Sequence, residues 1–483
     1  MGFAGIVLGL ALLIGMAYRG WSVLGLAPVA ALVAAAASGE PLLAHWTRTF
    51  MLAAGGFVAQ FFPLFLLGAL FGKLMDDSGS VAAIAQFMTT RLGTGRAILA
   101  VVLAGALVTY GGVSLFVAIF VLVPMGQALF RAASIPNRLL PAAVTLGTST
   151  FTMSALPGTP AIQNAIPMPH FGTTPFAAPG LGLIASAIML GFGLWWLRRR
   201  EVAANRAGET FGTPTMTASA AASDTLVRER ATTAREFDPA EILHGGLSGE
   251  SPRPLLAFLP LMVVVAVNLT MSLIVLPRMD TSFLAEERWG GITLSDVGGV
   301  WSVIVALASA IVVVVLLNRG RLQALRDTAD AGMNASVLPV MSVASLVGFG
   351  SVVASLPAFA TVRDWVLGIE GGPLVGLAVA TNVLAALTGS ASGGLTIALG
   401  ALGDTYMEIA SAHGIDPGLM HRVAVIGAGT LDSLPHNGAV VTLLAVCGAT
   451  HKTSYFDMVM AGMIGPMIAL AAVILLGSLF GSF

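Results

Sequence analysis

Charge is scarce in this 483-residue chain: Asp, Glu, Lys and Arg make up 10% of it, against 56% hydrophobic residues and a mean hydropathy of +0.90. Soluble domains carry about 25% charged residues. Too little charge is present to cover a water-facing surface, so lipid must cover most of it. Cysteine is nearly absent. The single Cys447 excludes an internal disulfide and a cysteine-built metal site, and its apolar neighbours mark it as a small buried hydrophobe. The formal net charge of −1 says nothing about partners, but no basic tract is present that would follow nucleic acid. The N-terminus lacks the basic segment and cleavage site of a signal peptide, which makes residues 3–18 a retained first span.

What is there in abundance is apolar runs. A bilayer core needs about 20 mostly apolar residues per helix. Such runs fall at 3–18, 21–38, 50–73, 176–197, 254–277, 291–317, 334–360 and 456–482. Segments 139–168 and 419–448 are long enough to span but are interrupted by proline and glycine. Stretches 97–130 and 372–411 are too long for one span, and each has a small polar cluster at its centre. They read as re-entrant hairpins, allowed only where protein or a water-filled cavity meets the bare backbone. The polar stretch 201–253, rich in Ala, Ser, Thr, Glu and Arg, divides the chain into 1–200 and 254–483 and reads as a partly disordered linker. The expected fold is therefore an all-α membrane protein of two repeats, each with five transmembrane helices and one re-entrant hairpin. An odd span count forces the repeats into inverted topology.

Charge tests that count. With the linker in the cytoplasm, 18 of the 23 Lys and Arg residues fall inside, and Arg48, Arg278, Arg288, Arg363 and Arg422 fall outside. This is the positive-inside pattern of an inner membrane, with both termini outside. The sequence also repeats weakly at a spacing of 278: Phe71-Gly72 falls on Phe349-Gly350, Gly111 on Gly389, Ser114 on Ser392, and Leu156-Pro157 on Leu434-Pro435. Hairpin falls on hairpin and broken helix on broken helix. Interruptions at corresponding positions of two halves are the sequence pointer to a transporter's binding site.

Four polar nodes follow. The first hairpin tip, Thr109-Tyr110-Gly111-Gly112-Val113-Ser114, corresponds to Thr388-Gly389-Ser390-Ala391-Ser392-Gly393-Gly394 in the second. Each return arm starts a helix at the tip, aiming unpaired N–H groups at the membrane centre, where two such ends suit a carboxylate. Packing by small residues alone is the plainer reading of any isolated glycine. The third node, 147–160, combines six hydroxyls (among them Ser154 and Thr159) with Pro157, Gly158 and Pro160, and is followed by Gln163 and Asn164. The fourth, 427–438, holds Asp432 and His436 four residues apart within a span, next to Asn437. An acid there marks an ion or substrate pathway, or else caps the half-helix near Pro435. Asp404 and Glu408 sit where they reach water, and Asp76 and Asp77 read as a solvated turn past Lys73. No Lys or Arg falls at any node, which leaves the charge work to backbone dipoles.

At these nodes the chain resembles the gluconate:proton symporter (GntP) family of the ion transporter superfamily. The likeness rests on Thr388-Gly389-Ser390-Ala391-Ser392, Gly427-Ala428-Gly429 with His436-Asn437, and Leu156-Pro157-Gly158-Thr159-Pro160, and it covers nearly the whole length apart from the linker. It implies proton-coupled symport of gluconate, related sugar acids or other small hydroxy acids, by a homodimer whose transport domain moves past a fixed scaffold. The tip Thr109-Tyr110-Gly111 stands where gluconate-type members carry glutamate, and the string 155–164 is similar to the branch for short hydroxy acids such as 3-hydroxybutyrate. The residues expected at the substrate are Tyr110, Gly111, Gly112, Ser114, Ser154, Thr159, Ser390, Ser392, His436 and Asn437. Asp432 with His436 is expected at the proton, and no cofactor or metal is expected. Sodium is the alternative coupling ion, since unwound carbonyls and Asp432 also suit it. Two other classes stand against a transporter: a channel, which needs a continuous pore, and an intramembrane serine protease built on Ser149 with His170 or His436.

Overall fold

A computed structural model describes residues 2–18, 21–113, 115–211, 248, 251–361, 364, 368–369, 371–435 and 437–483. All regular structure among them is helical. Two residues expected at the site, Ser114 and His436, lie outside the described residues, as do Arg19, Arg363 and most of the linker.

Among the described residues six helices are long and apolar enough to cross a membrane: Leu42–Asp77, Pro179–Arg206, Pro254–Arg278, Leu294–Leu317, Leu325–Ser355 and His451–Phe480. At a rise of 1.5 Å per residue the 24-residue helix Leu294–Leu317 is about 36 Å long, enough for a hydrocarbon core of about 30 Å. Its start is set by a capping box, in which the Thr293 N–H donates to the Asp296 carboxylate over 2.7 Å. Large apolar side chains such as Leu52, Leu255, Met262, Leu475 and Phe480 face outward, an arrangement that only lipid makes favourable. The first two expected spans form shorter helices, Gly2–Tyr18 and Val23–Ala37. The last span of the first repeat, Pro179–Arg206, runs six residues into the segment read as linker. Arg138 holds that extension through Glu209 at 2.9 Å, and Arg131 stacks on Phe211.

The stretch 97–130 forms two helices, Ala97–Tyr110 and Leu115–Ala132, joined by a tight turn at Gly111 to Val113. At 14 residues the first is about 21 Å long, short of a full crossing. It follows, across a bend of 102°, a helix at Ser80–Leu92. Composition does not mark that helix as a span, because only its Ser80 to Ala85 side carries a buried face. The stretch 372–411 likewise forms Pro373–Thr388 and Ala391–His413. Gly394 lets these two arms touch: a Cβ there would lie 2.2 Å from the Ala385 nitrogen. The segments read as broken are broken. Helix Leu140–Thr148 gives way to short turns at Phe151–Ser154, Ile162–Ala165 and Pro167–Phe171, and Pro417–Thr430 is separated from Gly438–Val446 by an irregular stretch around Pro435.

Three buried apolar clusters hold these parts. The largest lies among Gly2–Tyr18, Val23–Ala37, Leu42–Asp77, Leu294–Leu317 and Leu325–Ser355, with Leu13, Ala27, Phe61, Leu307 and Phe349 at its heart. The second joins the second hairpin to Pro417–Thr430 and Pro179–Arg206. The third joins the first hairpin to Leu140–Thr148 and Gly438–Val446, and Cys447 is a free thiol buried within it.

Candidate functional site

The first hairpin tip is built onto the first broken segment. Tyr110, the last residue of its helix, donates its phenol O–H to the Pro157 carbonyl over 2.7 Å, an acceptor within the helix break. Gly112 has φ +96°, and a Cβ there would lie 3.0 Å from Pro160 Cγ, so only glycine closes this turn against the proline without strain. Gly111 lies beneath Leu261. The hydroxyls of the break mostly repair backbone: Ser154 donates to the Thr150 carbonyl at 3.0 Å, and Thr159 accepts from the Ala161 N–H at 3.4 Å.

The second tip is built onto the second broken segment in the same way. Ser390 caps Ala391–His413, its hydroxyl accepting the Gly393 N–H at 3.1 Å, and its Oγ lies 3.2 Å from Ser392 Oγ. Across from it the Asn437 amide nitrogen donates to the Gly389 carbonyl and to Asp432 Oδ1, both at 2.9 Å. The Asn437 carbonyl oxygen accepts from the Ala439 and Val440 N–H groups at 2.7 and 3.3 Å. The cap on the Ala439 and Val440 N–H groups is therefore Asn437. Asp432 is half-buried and is held by that cap.

Between the tips lies a cavity of about 180 Å³. Its walls are Thr109, Gly112 and Val113 of the first tip, Met153 and Pro160 to Gln163 of the break, and Ser392 in the first turn of Ala391–His413. It is closed by Leu64, Phe65, Gly68 and Ala69 on one side and by Ala335, Ser336, Pro339 and Val343 on another. Of the residues expected at the substrate, Gly112 and Ser392 line it. Tyr110, Gly111, Thr159, Ser390 and Asn437 are not among its walls. Ser154 is turned away toward Pro417–Thr430, where Gly429 packs on its Cβ. Thr109, Gln163 and Ser336 supply polar atoms that the list of expected residues lacked.

Two charged positions differ from the sequence reading. Arg422, assigned to the outer surface, is fully buried. Its guanidinium donates to the Ala177 carbonyl from Nε (3.2 Å) and Nη2 (2.7 Å), and from Nη1 to the Ser154 carbonyl (3.2 Å) and Asn164 Oδ1 (3.4 Å). His421 bridges the same Asn164 oxygen at 3.1 Å and Thr173 Oγ1 at 2.7 Å. A cation thus braces the third node, next to the cavity residue Gln163, where dipoles alone were expected. Asp77, read as solvated, is also fully buried: it pairs with buried Lys73 at 2.9 Å and accepts from Thr328 at 2.7 Å. The cause is packing, because Gly332 lets helix Leu325–Ala335 press on Leu70 and Lys73.

Comparison with known proteins decides the family. Residues 2–174 match the family described as GntP family permease. The chain is 40% identical to the uncharacterized transporter YxjC of Bacillus subtilis over 483 residues, covering 99% of this chain and 98% of that one. The chain belongs to the GntP family of permeases. Among solved structures, the efflux pump MtrF of Neisseria gonorrhoeae shares the fold at a TM-score of 0.55 and 14% identity, over 91% of this chain and 85% of that one. The YdaH transporter of Alcanivorax borkumensis aligns at a TM-score of 0.49 and 15% identity. This GntP permease is an integral membrane secondary transporter and not an enzyme. The protease alternative falls with that, and Ser149 shares its hydroxyl with Thr148 at 3.2 Å.

Proposed function

We propose that this GntP permease is a proton-coupled symporter of a small hydroxy carboxylate, such as 3-hydroxybutyrate or a sugar acid, across the inner membrane. The observation that carries the reading is the cavity where both hairpin tips and the first broken segment converge. Its volume of about 180 Å³ gives room for a small acid. The first turn of the 23-residue helix Ala391–His413 opens on it at Ser392, presenting N–H groups and a positive dipole end to an anion. Thr109, Gln163 and Ser336 offer partners for substrate hydroxyls.

Asp432 is the coupling acid in this reading. When ionised it accepts a charge-assisted bond from the Asn437 amide, which also holds the Gly389 carbonyl at the tip. Protonation weakens that bond and removes a negative charge from the neighbourhood of the incoming carboxylate, so proton and substrate load together. His436 is assigned to the same proton pathway, and Ser114 to the carboxylate. Movement is of the elevator type within a homodimer, the part that carries the hairpin tips and the cavity sliding past a fixed scaffold. The end at which Arg138 and Arg200 both pair with Asp457, at 3.1 and 2.8 Å, faces the cytoplasm with the linker, and both termini face outward.

Proteoliposomes test this with one variant. Wild-type protein should accumulate radiolabelled 3-hydroxybutyrate or gluconate under an imposed pH gradient. Asp432→Asn should still exchange substrate but lose accumulation. Normal accumulation by the variant would refute the coupling role, and accumulation driven by a sodium gradient alone would establish the sodium alternative.

A further inference from the structure

A second cavity, of about 530 Å³, opens far from the hairpin tips, between the start of Ala97–Tyr110 and the last turns of Pro179–Arg206. Arg96 stands on one wall and Arg198 on the other, with Glu201 and Asn205 beside the latter, while Ile98, Leu99, Leu194 and Val202 supply apolar surface. Among the described residues, neither arginine has a carboxylate within ion-pair distance, whereas Arg138 and Arg200 at the same end of the molecule are both committed to Asp457.

Its depth in the bilayer is marked by aromatic residues. Trp195 is 53% exposed one turn before Arg198, and the Arg199 guanidinium lies 5.8 Å from its ring centroid. Exposed tryptophan with flanking arginine sits at the headgroup level of a membrane protein. A crevice at that depth with two unpaired guanidinium groups over an apolar floor matches a molecule that is anionic at one end and hydrocarbon at the other.

We infer that this crevice binds an anionic phospholipid, its phosphate between Arg96 and Arg198 and an acyl chain along Leu194 and Val202. Phosphate takes guanidinium forks well, and basic pockets between helices on the cytoplasmic side recognise lipid headgroups. Glu201 opposes the anion and limits the affinity. The inference does not depend on the transported substrate.

The test uses full-length protein in a neutral detergent. Thermal stability and lipid retention by native mass spectrometry are measured with phosphatidylglycerol, with phosphatidylcholine of the same chains, and with inorganic phosphate. Phosphatidylglycerol should bind and stabilise, and phosphatidylcholine should not. Arg96→Gln and Arg198→Gln should each weaken the apparent affinity about fivefold, Glu201→Gln should strengthen it, and Arg278→Gln, at a distant exposed site, should leave it unchanged. Undiminished phosphatidylglycerol binding in the double arginine variant would overturn the assignment. So would equal stabilisation by inorganic phosphate, which would make the crevice a site for free anions. Glu201→Gln keeps the assignment open to refutation if the double variant fails to fold, because an unchanged affinity there contradicts it.

Discussion

Replacing Arg422 by methionine keeps most of the side chain's length and removes four hydrogen bonds donated by a buried cation. Three are 2.7 to 3.2 Å long and end on the Ala177 and Ser154 carbonyls, and the fourth, to Asn164, is long at 3.4 Å. A hydrogen bond to a charged group contributes about 1.5–3 kcal/mol net. Relieving the guanidinium of its buried charge offsets several kcal/mol of that total. What remains is two buried carbonyls without their donor, at about 1–3 kcal/mol each, for a net loss of about 2–6 kcal/mol. That is a large part of the 5–15 kcal/mol by which proteins are ordinarily stable. Heating the detergent-purified protein and following the monodisperse fraction by size exclusion reads the effect. Arg422→Met should lose its folded peak at temperatures the wild type survives. Arg422→Lys, which keeps the charge without the planar fork, should recover only part of the loss. Because Asn164 adjoins Gln163, substrate affinity should fall along with stability. Wild-type melting and wild-type affinity in Arg422→Met would show that the guanidinium braces nothing.

Three further outcomes follow from the packing. Gly394→Ala drives a methyl into the Ala385 backbone at 2.2 Å, so it should cost at least about 1–3 kcal/mol, read as a lower melting temperature with reduced uptake. Lys73→Met strands the buried Asp77 carboxylate with only Thr328 as partner and should cost about 3–5 kcal/mol in the same thermal assay, whereas Lys73→Met combined with Asp77→Leu should restore most of it. Asn437→Ala removes a helix cap, about 1 kcal/mol, and its link to Asp432. A double-mutant cycle with Asp432→Ala should show a coupling above about 0.5 kcal/mol, and additive effects would mean the two side chains are independent.

How much of this could be read from sequence depends on the range of the signal. Pro157, Gly158 and Pro160 break a helix by their own covalent chemistry, so the first broken segment and both hairpin turns, Gly111 to Val113 and Gly389 to Ser390, were legible residue by residue. Apolar run length marked eight spans, six of which are crossing helices among the described residues, though it did not mark the helix at Ser80–Leu92, whose one-sided burial leaves no long apolar run. Charged residues were misplaced for the opposite reason. Arg422 lies six positions into its helix, where hydropathy alone sets it near a membrane surface. The atoms that make its burial tolerable, at Ala177 and Ser154, are 245 and 268 residues away in the chain. Asp77 owes its burial to Lys73, a turn away, but also to Thr328 and Gly332 on a helix of the other half.

The same distinction separates Asp432 from Asn437. Spacing alone allowed Asp432 to be either a helix cap or an ion-pathway acid, since both roles favour a short oxygen-bearing side chain before a half-helix. The geometry gives the cap of Gly438–Val446 to Asn437: the Ala439 and Val440 N–H groups are bonded to its side-chain oxygen, and Asp432 accepts from the amide nitrogen of the same side chain. The same amide nitrogen holds the Gly389 carbonyl. A side chain that gains or loses a proton there acts on the second tip through one shared donor, without having to reach the cavity itself. In the proposed coupling role, a change of charge on Asp432 leaves the Ala439 and Val440 N–H groups with their Asn437 partner, so Gly438–Val446 keeps its cap while the second tip responds.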